Sequence, residues 1–171
     1  LKIGVLRPFF PEEDSFVKIY PVLQDFKETV YQRGAPLELL PKKADCVTSI
    51  YYIFLEAFGI KIPITYIGDL PRSLVRDKWK FHIVDERGVQ LGDMIFVKKI
   101  GEKRLISHVA LVLDQQSVFH CKKERGAIIE GLFDFFKVYE QSILEEELNY
   151  IDVRNVALRI LHGGIYLNSK L

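Results

Sequence analysis

Three side chains in this sequence could together do covalent chemistry: Cys46, His108 and His120. A thiolate is a nucleophile, and a neutral imidazole can take the thiol's proton near neutral pH. A third polar group that binds the far ring nitrogen would fix the tautomer of that base. Each residue also has a plain reading. Free cysteine most often packs as a small apolar side chain. A histidine on a buried strand is often only a hydrogen-bonded structural residue. The combination says more than any member.

The elements around these residues suit that chemistry. Val47, Ile50, Tyr51, Phe54 and Phe58 fall on one face of a helix, with Asp45 placed to cap it and Gly59 to close it. Cys46 then lies in the first helical turn, where unpaired N–H groups favour negative charge. This predicts an easily ionised thiol that alkylates below the ordinary thiol range. The same N–H groups could hold an oxyanion. His108 opens the apolar run Val109 to Leu113, and His120 follows twelve residues later in Val118 to Cys121. Side chains on strands alternate. An odd-numbered hairpin loop centred near Asp114 would therefore place the two histidines opposite each other on one face.

Upstream, Ile3 to Leu6 reads as part of an extended arm. Residues 14–32 have helical spacing, with the start expected at Pro21 and the end at Gly34 and Pro36. Residues 63–90 are mixed, and His82 there reads as surface or loop. Met94 to Val97, Ser107 to Leu113, Val118 to Cys121 and Ala127 to Ile129 read as strands joined by hairpins. Phe133 to Glu147 reads as helical, Tyr150 to Val156 as a last strand, and the remainder, with His162, as a tail. Helices precede strands, which argues for an α+β fold. Met94, Phe54, Phe96 and Phe119 read as core, as does Cys121.

Composition narrows the function classes. The 171 residues are 49% hydrophobic and 27% charged, which fits a globular chain with a real core. Lys and Arg total 24 against 23 for Asp and Glu, leaving a net charge of +1. That balance gives no reason to expect a nucleic-acid partner. Two cysteines cannot build a disulfide framework. No run is long and apolar enough to span a membrane. The chain begins with Leu1 rather than Met, so an upstream piece is expected to have been lost. The expected compartment is the cytoplasm, or the cell envelope if a signal was removed.

The motifs resemble those of the NlpC-type cell-wall cysteine endopeptidases. Ala44-Asp45-Cys46-Val47-Thr48-Ser49, running on to Gly59-Ile60-Lys61-Ile62-Pro63, resembles the nucleophile helix of that family. Leu91-Gly92-Asp93-Met94-Ile95-Phe96 resembles its Pro-Gly-Asp strand, and Ser107 to Leu113 its catalytic-histidine strand. Val118-Phe119-His120-Cys121 resembles the strand with the third polar residue, and Tyr31-Gln32-Arg33-Gly34 the Tyr-x-Trp-Gly-Gly element. Val47 stands where the family has Ser, Thr48 where it has Gly, Arg33 where it has Trp, and Ala35 where it has a second Gly.

The resemblance implies a papain-like fold, with the nucleophile helix packed on an antiparallel sheet of about five strands. It implies a catalytic domain over residues 31–156, an N-terminal arm and helix (1–30) belonging to the same unit, and a tail over 157–171. It further implies Cys46, His108 and His120 as catalytic residues. Tyr31, Asp45 and Ser107 would be substrate-binding, the last with Asp45 holding the substrate's free amine. The implied reaction is hydrolysis of the γ-D-glutamyl–diamino acid bond in peptidoglycan stem peptides, with no metal or organic cofactor. With only about thirty residues before Tyr31, no separate wall-binding module is expected, which favours free muropeptides as substrate. Two other readings stay open. One is a thiol-dependent amidase or acyltransferase with another substrate, of which Val47 and Arg33 would be signs. The other is an inactive binding module on the same fold.

Overall fold

The computed structural model describes residues 2–8 and 15–142. The expected strand Tyr150 to Val156, the tail and the end of the Phe133 to Glu147 segment lie outside these residues.

The chain folds as α+β. Nine strands are described, β1 (Ile3–Arg7), β2 (Val30–Tyr31), β3 (Lys43–Ala44), β4 (Lys80–Val84), β5 (Met94–Lys99), β6 (His108–Val112), β7 (Ser117–Lys122), β8 (Gly126–Gly131) and β9 (Tyr139–Gln141). The helices are α1 (Ser15–Leu23), α2 (Cys46–Phe58), α3 (Leu70–Arg76) and α4 (Leu132–Val138). The main sheet has seven strands rather than about five, in the order β4-β1-β5-β6-β7-β8, with β9 also pairing β5. All its pairings are antiparallel.

Three of the seven, β1, β4 and β9, come from segments whose strand character the sequence hides. Ile3 to Leu6 is no arm. It lies between β4 and β5, with Ile3, Val5 and Leu6 fully buried. Arg7 anchors it through two hydrogen bonds to Asp93, Nε to Oδ1 at 2.8 Å and Nη2 to Oδ2 at 2.9 Å. Asp93 is completely buried and also accepts from the Gln90 amide at 2.8 Å, so its charge is both paired and hydrogen-bonded. The mixed stretch 63–90 contains α3 and β4, and His82 sits on β4 across from Val5.

α1 also departs from expectation. It starts before Pro21, contains that residue, and gives way to a 3-10 turn at Gln24–Phe26. Val30 and Tyr31 leave the helical pattern because they pair in parallel with Lys43 and Ala44. That pairing outweighs their helical spacing.

The sheet has two unlike faces. α1, α2 and α3 cover one, on which Ile50, Ile53, Phe54 and Leu70 pack with Met94, Phe96, Val109, Leu111 and Phe119. On the other, Leu132, Phe135 and Tyr139 pack with Ile95, Val97, Ala110, Val112 and Val118. Met94, Phe54, Phe96 and Phe119 are core, as their surroundings in the sequence suggest.

Candidate active site

α2 begins where the sequence places it. Asp45 is the N-cap, and its Oδ1 accepts from the Val47 amide at 3.0 Å and the Thr48 amide at 2.8 Å. Thr48 Oγ1 accepts from the Asp45 amide at 2.9 Å and closes a capping box. A glycine at 48 could not close that box. Gly59 ends the helix at φ 67°, a left-handed conformation in which a side chain would be strained. Cys46 is thereby held in the first turn, 8% exposed, on the wall of a cleft.

His108 lines the same cleft, and His120 lies behind it, on the sheet face away from α2. β6 pairs with β7 through Leu111 with Phe119 and Val112 with Val118, around the odd-numbered loop Asp114–Gln116. The hairpin centres on Gln115 rather than Asp114. His108 and His120 therefore share a face, as expected, but as diagonal neighbours and not directly opposite. Long side chains reach across that diagonal. His108 Nε2 and His120 Nδ1 are 2.8 Å apart. His120 Nε2 lies 2.6 Å from Glu130 Oε1 on β8.

An aromatic box surrounds the pair. Tyr139 stacks on His108 with ring centroids 4.9 Å apart and planes 14° apart. Phe135 meets His120 edge-on at 5.0 Å. His120 has no exposed surface, while His108 reaches the cleft at the start of β6. There the backbone of Val109, and that of Cys46 itself, favours the thiolate form of Cys46.

Burial sets the protonation states. Desolvation pushes the Cys46 thiol up to about 12, and the Asp45 carboxylate adds to this. Desolvation pushes His108 down to about 3, helped by His120, Lys122 and Lys99. His120 is also lowered by burial, against the pull of Glu130. The resting pair is thus a neutral thiol and a neutral imidazole. The easily ionised thiol expected from the helix N-terminus is not what the fold produces. Loss of water and a neighbouring carboxylate outweigh the amide dipoles.

The cleft is about 880 Å³ and is lined by Cys46, His108, Tyr31, Asp45, Ser107 and Tyr139, among others. His120 stands behind His108, outside the lining. Tyr31 is brought beside Ala44 by the β2–β3 pairing. Burial raises its phenol, as do the nearby Cys46 and Asp45. Asp45 and Ser107, expected to hold a substrate amine, already have partners. Asp45 Oδ2 accepts from the Gly34 amide at 2.8 Å, and Ser107 Oγ donates to Glu102 Oε2 at 2.6 Å. Glu102 also pairs with Arg104, and these bonds hold its carboxylate below the usual range. Val47 lines the same cleft but is nearly buried.

Residues 28–142 match the NlpC/P60 family. The chain belongs to the NlpC/P60 family. The solved structures agree in fold. One is the crystal structure of the NlpC/p60 domain of the peptidoglycan hydrolase SagA, with a TM-score of 0.51 and 17% identity, covering 75% of this chain and 98% of that one. Another is a protein described as similar to lipoprotein, NLP/P60 family, from Staphylococcus aureus subsp. aureus Mu50. Its TM-score is 0.54 at 17% identity, covering 81% of this chain and 44% of that one. No curated protein matches the sequence. The fold is therefore the papain-like fold of NlpC/P60 domains, as the motifs suggested.

Glu130, Tyr139 and Glu102 belong to the site and escaped the sequence reading. Glu130 sits one hairpin past His120, and its even spacing from it was the available signal. Tyr139 falls within the segment expected to be helical, Phe133 to Glu147. The structure instead turns it into β9, paired with β5. Cys121 is a free thiol with no exposed surface, and its Sγ donates to the Ala44 carbonyl at 3.3 Å. Among the described residues no group of His, Cys, Asp and Glu is arranged to hold a metal ion. No described helix is long and apolar enough to cross a membrane.

Proposed function

We propose that this NlpC/P60 domain is a cysteine endopeptidase that hydrolyses the γ-D-glutamyl–diamino acid bond of peptidoglycan stem peptides. The observation that carries the reading is the 2.8 Å contact by which His120, from behind, holds His108, which lines the cleft together with Cys46. His108 uses Nε2 for that contact and keeps Nδ1 for the nucleophile.

Cys46 Sγ attacks the γ-carbonyl as its proton passes to His108 Nδ1. The Cys46 amide stabilises the oxyanion in the partly closed cleft. The His108 imidazolium protonates the leaving amine, and the acyl-enzyme forms. His108 then takes a proton from water, which attacks the thioester; the C–S bond breaks, the acid is released, and the Cys46 sulfur takes the proton back from His108. Because the resting pair is neutral, proton transfer accompanies attack and does not precede it. Tyr31, Asp45 and Ser107 border the acyl side, with Asp45 and Ser107 acting through their held neighbours, Gly34 and Glu102. The catalytic domain spans residues 31–156, with 1–30 in the same unit and 157–171 as a tail. The substrate is a stem peptide in the wall or a free muropeptide, met in the cytoplasm or the cell envelope.

The test is incubation with L-Ala-γ-D-Glu-diaminopimelate and mass spectrometry of the products. Release of L-Ala-D-Glu, lost in Cys46→Ala with the fold intact by circular dichroism, is the expected result. Turnover of other amides or esters but no release of the dipeptide would refute the bond assignment.

A further inference from the structure

The diagonal step that joins His108 to His120 is repeated one strand further on. β7 and β8 pair through Val118 with Glu130 and His120 with Ile128. Glu130 is thus the diagonal neighbour of His120 on the same face. It reaches the ring nitrogen that His108 does not use, at 2.6 Å. The three side chains form one line from the surface of β8 to the cleft. Glu130 keeps 22% of its side chain exposed, while His120 has none exposed.

Each neutral imidazole has one N–H and one bare nitrogen. A carboxylate can only accept, so the proton of His120 lies on Nε2, facing Glu130. Its Nδ1 is then bare and can only accept from His108 Nε2–H. That leaves His108 Nδ1 without a proton. Reversing the first choice reverses the second. With a proton on His120 Nδ1, His108 must carry its own on Nδ1 and cannot take one from Cys46. Phe135 and Tyr139 close the box around both rings, so water offers His120 no substitute partner.

We infer that Glu130 is a positioning residue that sets the tautomers of His120 and His108 together, and so keeps His108 Nδ1 free to receive the Cys46 proton. The inference rests on the peptidase reading for its kinetic consequence only. In the transfer itself the S–H bond breaks, an N–H bond forms at Nδ1, and the sulfur electron pair makes the bond to the carbonyl carbon. Glu130 gains and loses no proton.

The experiment has a readout that needs no substrate. Long-range proton–nitrogen spectra of the full chain, labelled with ¹⁵N-histidine, assign the tautomers in wild type, Glu130→Leu and Glu130→Gln. Wild type is expected to show protonated Nε2 at both histidines. Glu130→Leu is expected to move nearly all of both protons to Nδ1. Glu130→Gln is expected to hold the wild-type pattern, since its amide oxygen still accepts. In turnover, Glu130→Leu should lower kcat about 10²-fold with KM within about twofold, against about 10⁴ for a fully wrong tautomer in a hydrolase triad. Glu130→Gln should restore most of kcat. Unchanged tautomers in a folded Glu130→Leu would overturn the inference, as would a Gln variant no better than Leu. If the tautomers respond as stated but wild type cleaves no stem peptide, the peptidase reading fails and the role of Glu130 stands.

Discussion

Tyr139 lies flat against His108, its ring tilted by only 14° at 4.9 Å. The phenol is buried, and that burial raises it to about 12. The stack holds the imidazole plane while Nε2 is held by His120. An imidazole so clamped has one orientation from which to meet the nucleophile.

Replacing Tyr139 with Leu should keep the apolar contact and lose the flat surface. We expect kcat to fall about tenfold, with stability lowered by about 1 kcal/mol, the scale of an aromatic pair. Tyr139→Phe should be close to wild type. Steady-state kinetics on a stem peptide and thermal unfolding check both. A Leu variant with full kcat would show that the clamp has no role.

The raised Cys46 thiol has a clear signature. Its iodoacetamide reaction should be slow at pH 7 and go on rising through pH 10, where an ordinary thiol has levelled off. Cys121, with no exposed surface, should react more slowly still under native conditions. Mass spectrometry of labelled peptides across pH reads both rates. A flat rate at Cys46 from pH 5 to 8 would instead mean a standing thiolate–imidazolium pair.

Burial of neutral histidines ties stability to pH. The unfolded chain protonates histidine below about pH 6.5, while folded His108 resists until about 3. Stability is therefore whole above about pH 6.5 and is lost as pH falls toward 3. His120, also lowered, acts in the same direction. The expected loss between pH 7 and 5 is on the order of 1–3 kcal/mol, read from chemical denaturation at each pH. His108→Gln should flatten the dependence. An equal slope in that variant would contradict the assignment.

Arg7 ties β1 to the rest of the sheet through buried Asp93. Arg7→Met would leave that carboxylate with one amide donor and no cation among the described residues. We expect a loss of about 3 kcal/mol, as for breaking a buried pair from one side. Adding Asp93→Asn should recover part of it. Urea unfolding of the single and double variants measures the coupling. Strict additivity would mean that the two side chains do not act together.

Much of the site was legible in the residues themselves because its signals are local. A capping aspartate, an apolar face at helical spacing and a closing glycine define α2, and all act within one segment. Hence Asp45, Cys46 and Gly59 lie where the sequence puts them. The parity of β6 and β7 was legible only given an odd loop, which keeps His108 and His120 on one face where a two-residue loop would not. Direct opposition was not, because one residue of hairpin register changes which side chains meet without changing any residue type.

The remainder was decided in three dimensions. Ile3–Arg7 became an inner strand between β4 and β5, where Asp93, far along the chain, supplies the buried charge that anchors Arg7. Glu130 and Tyr139 joined the site through pairings of β8 with β7 and of β9 with β5, which local propensity does not encode. The protonation of Cys46 is the sharpest case. Sequence alone determines that a thiol sits at a helix N-terminus, where dipoles favour its ionised form. Only the packed structure removes the water around it, and desolvation is a property of everything that surrounds a group rather than of its neighbours in the chain.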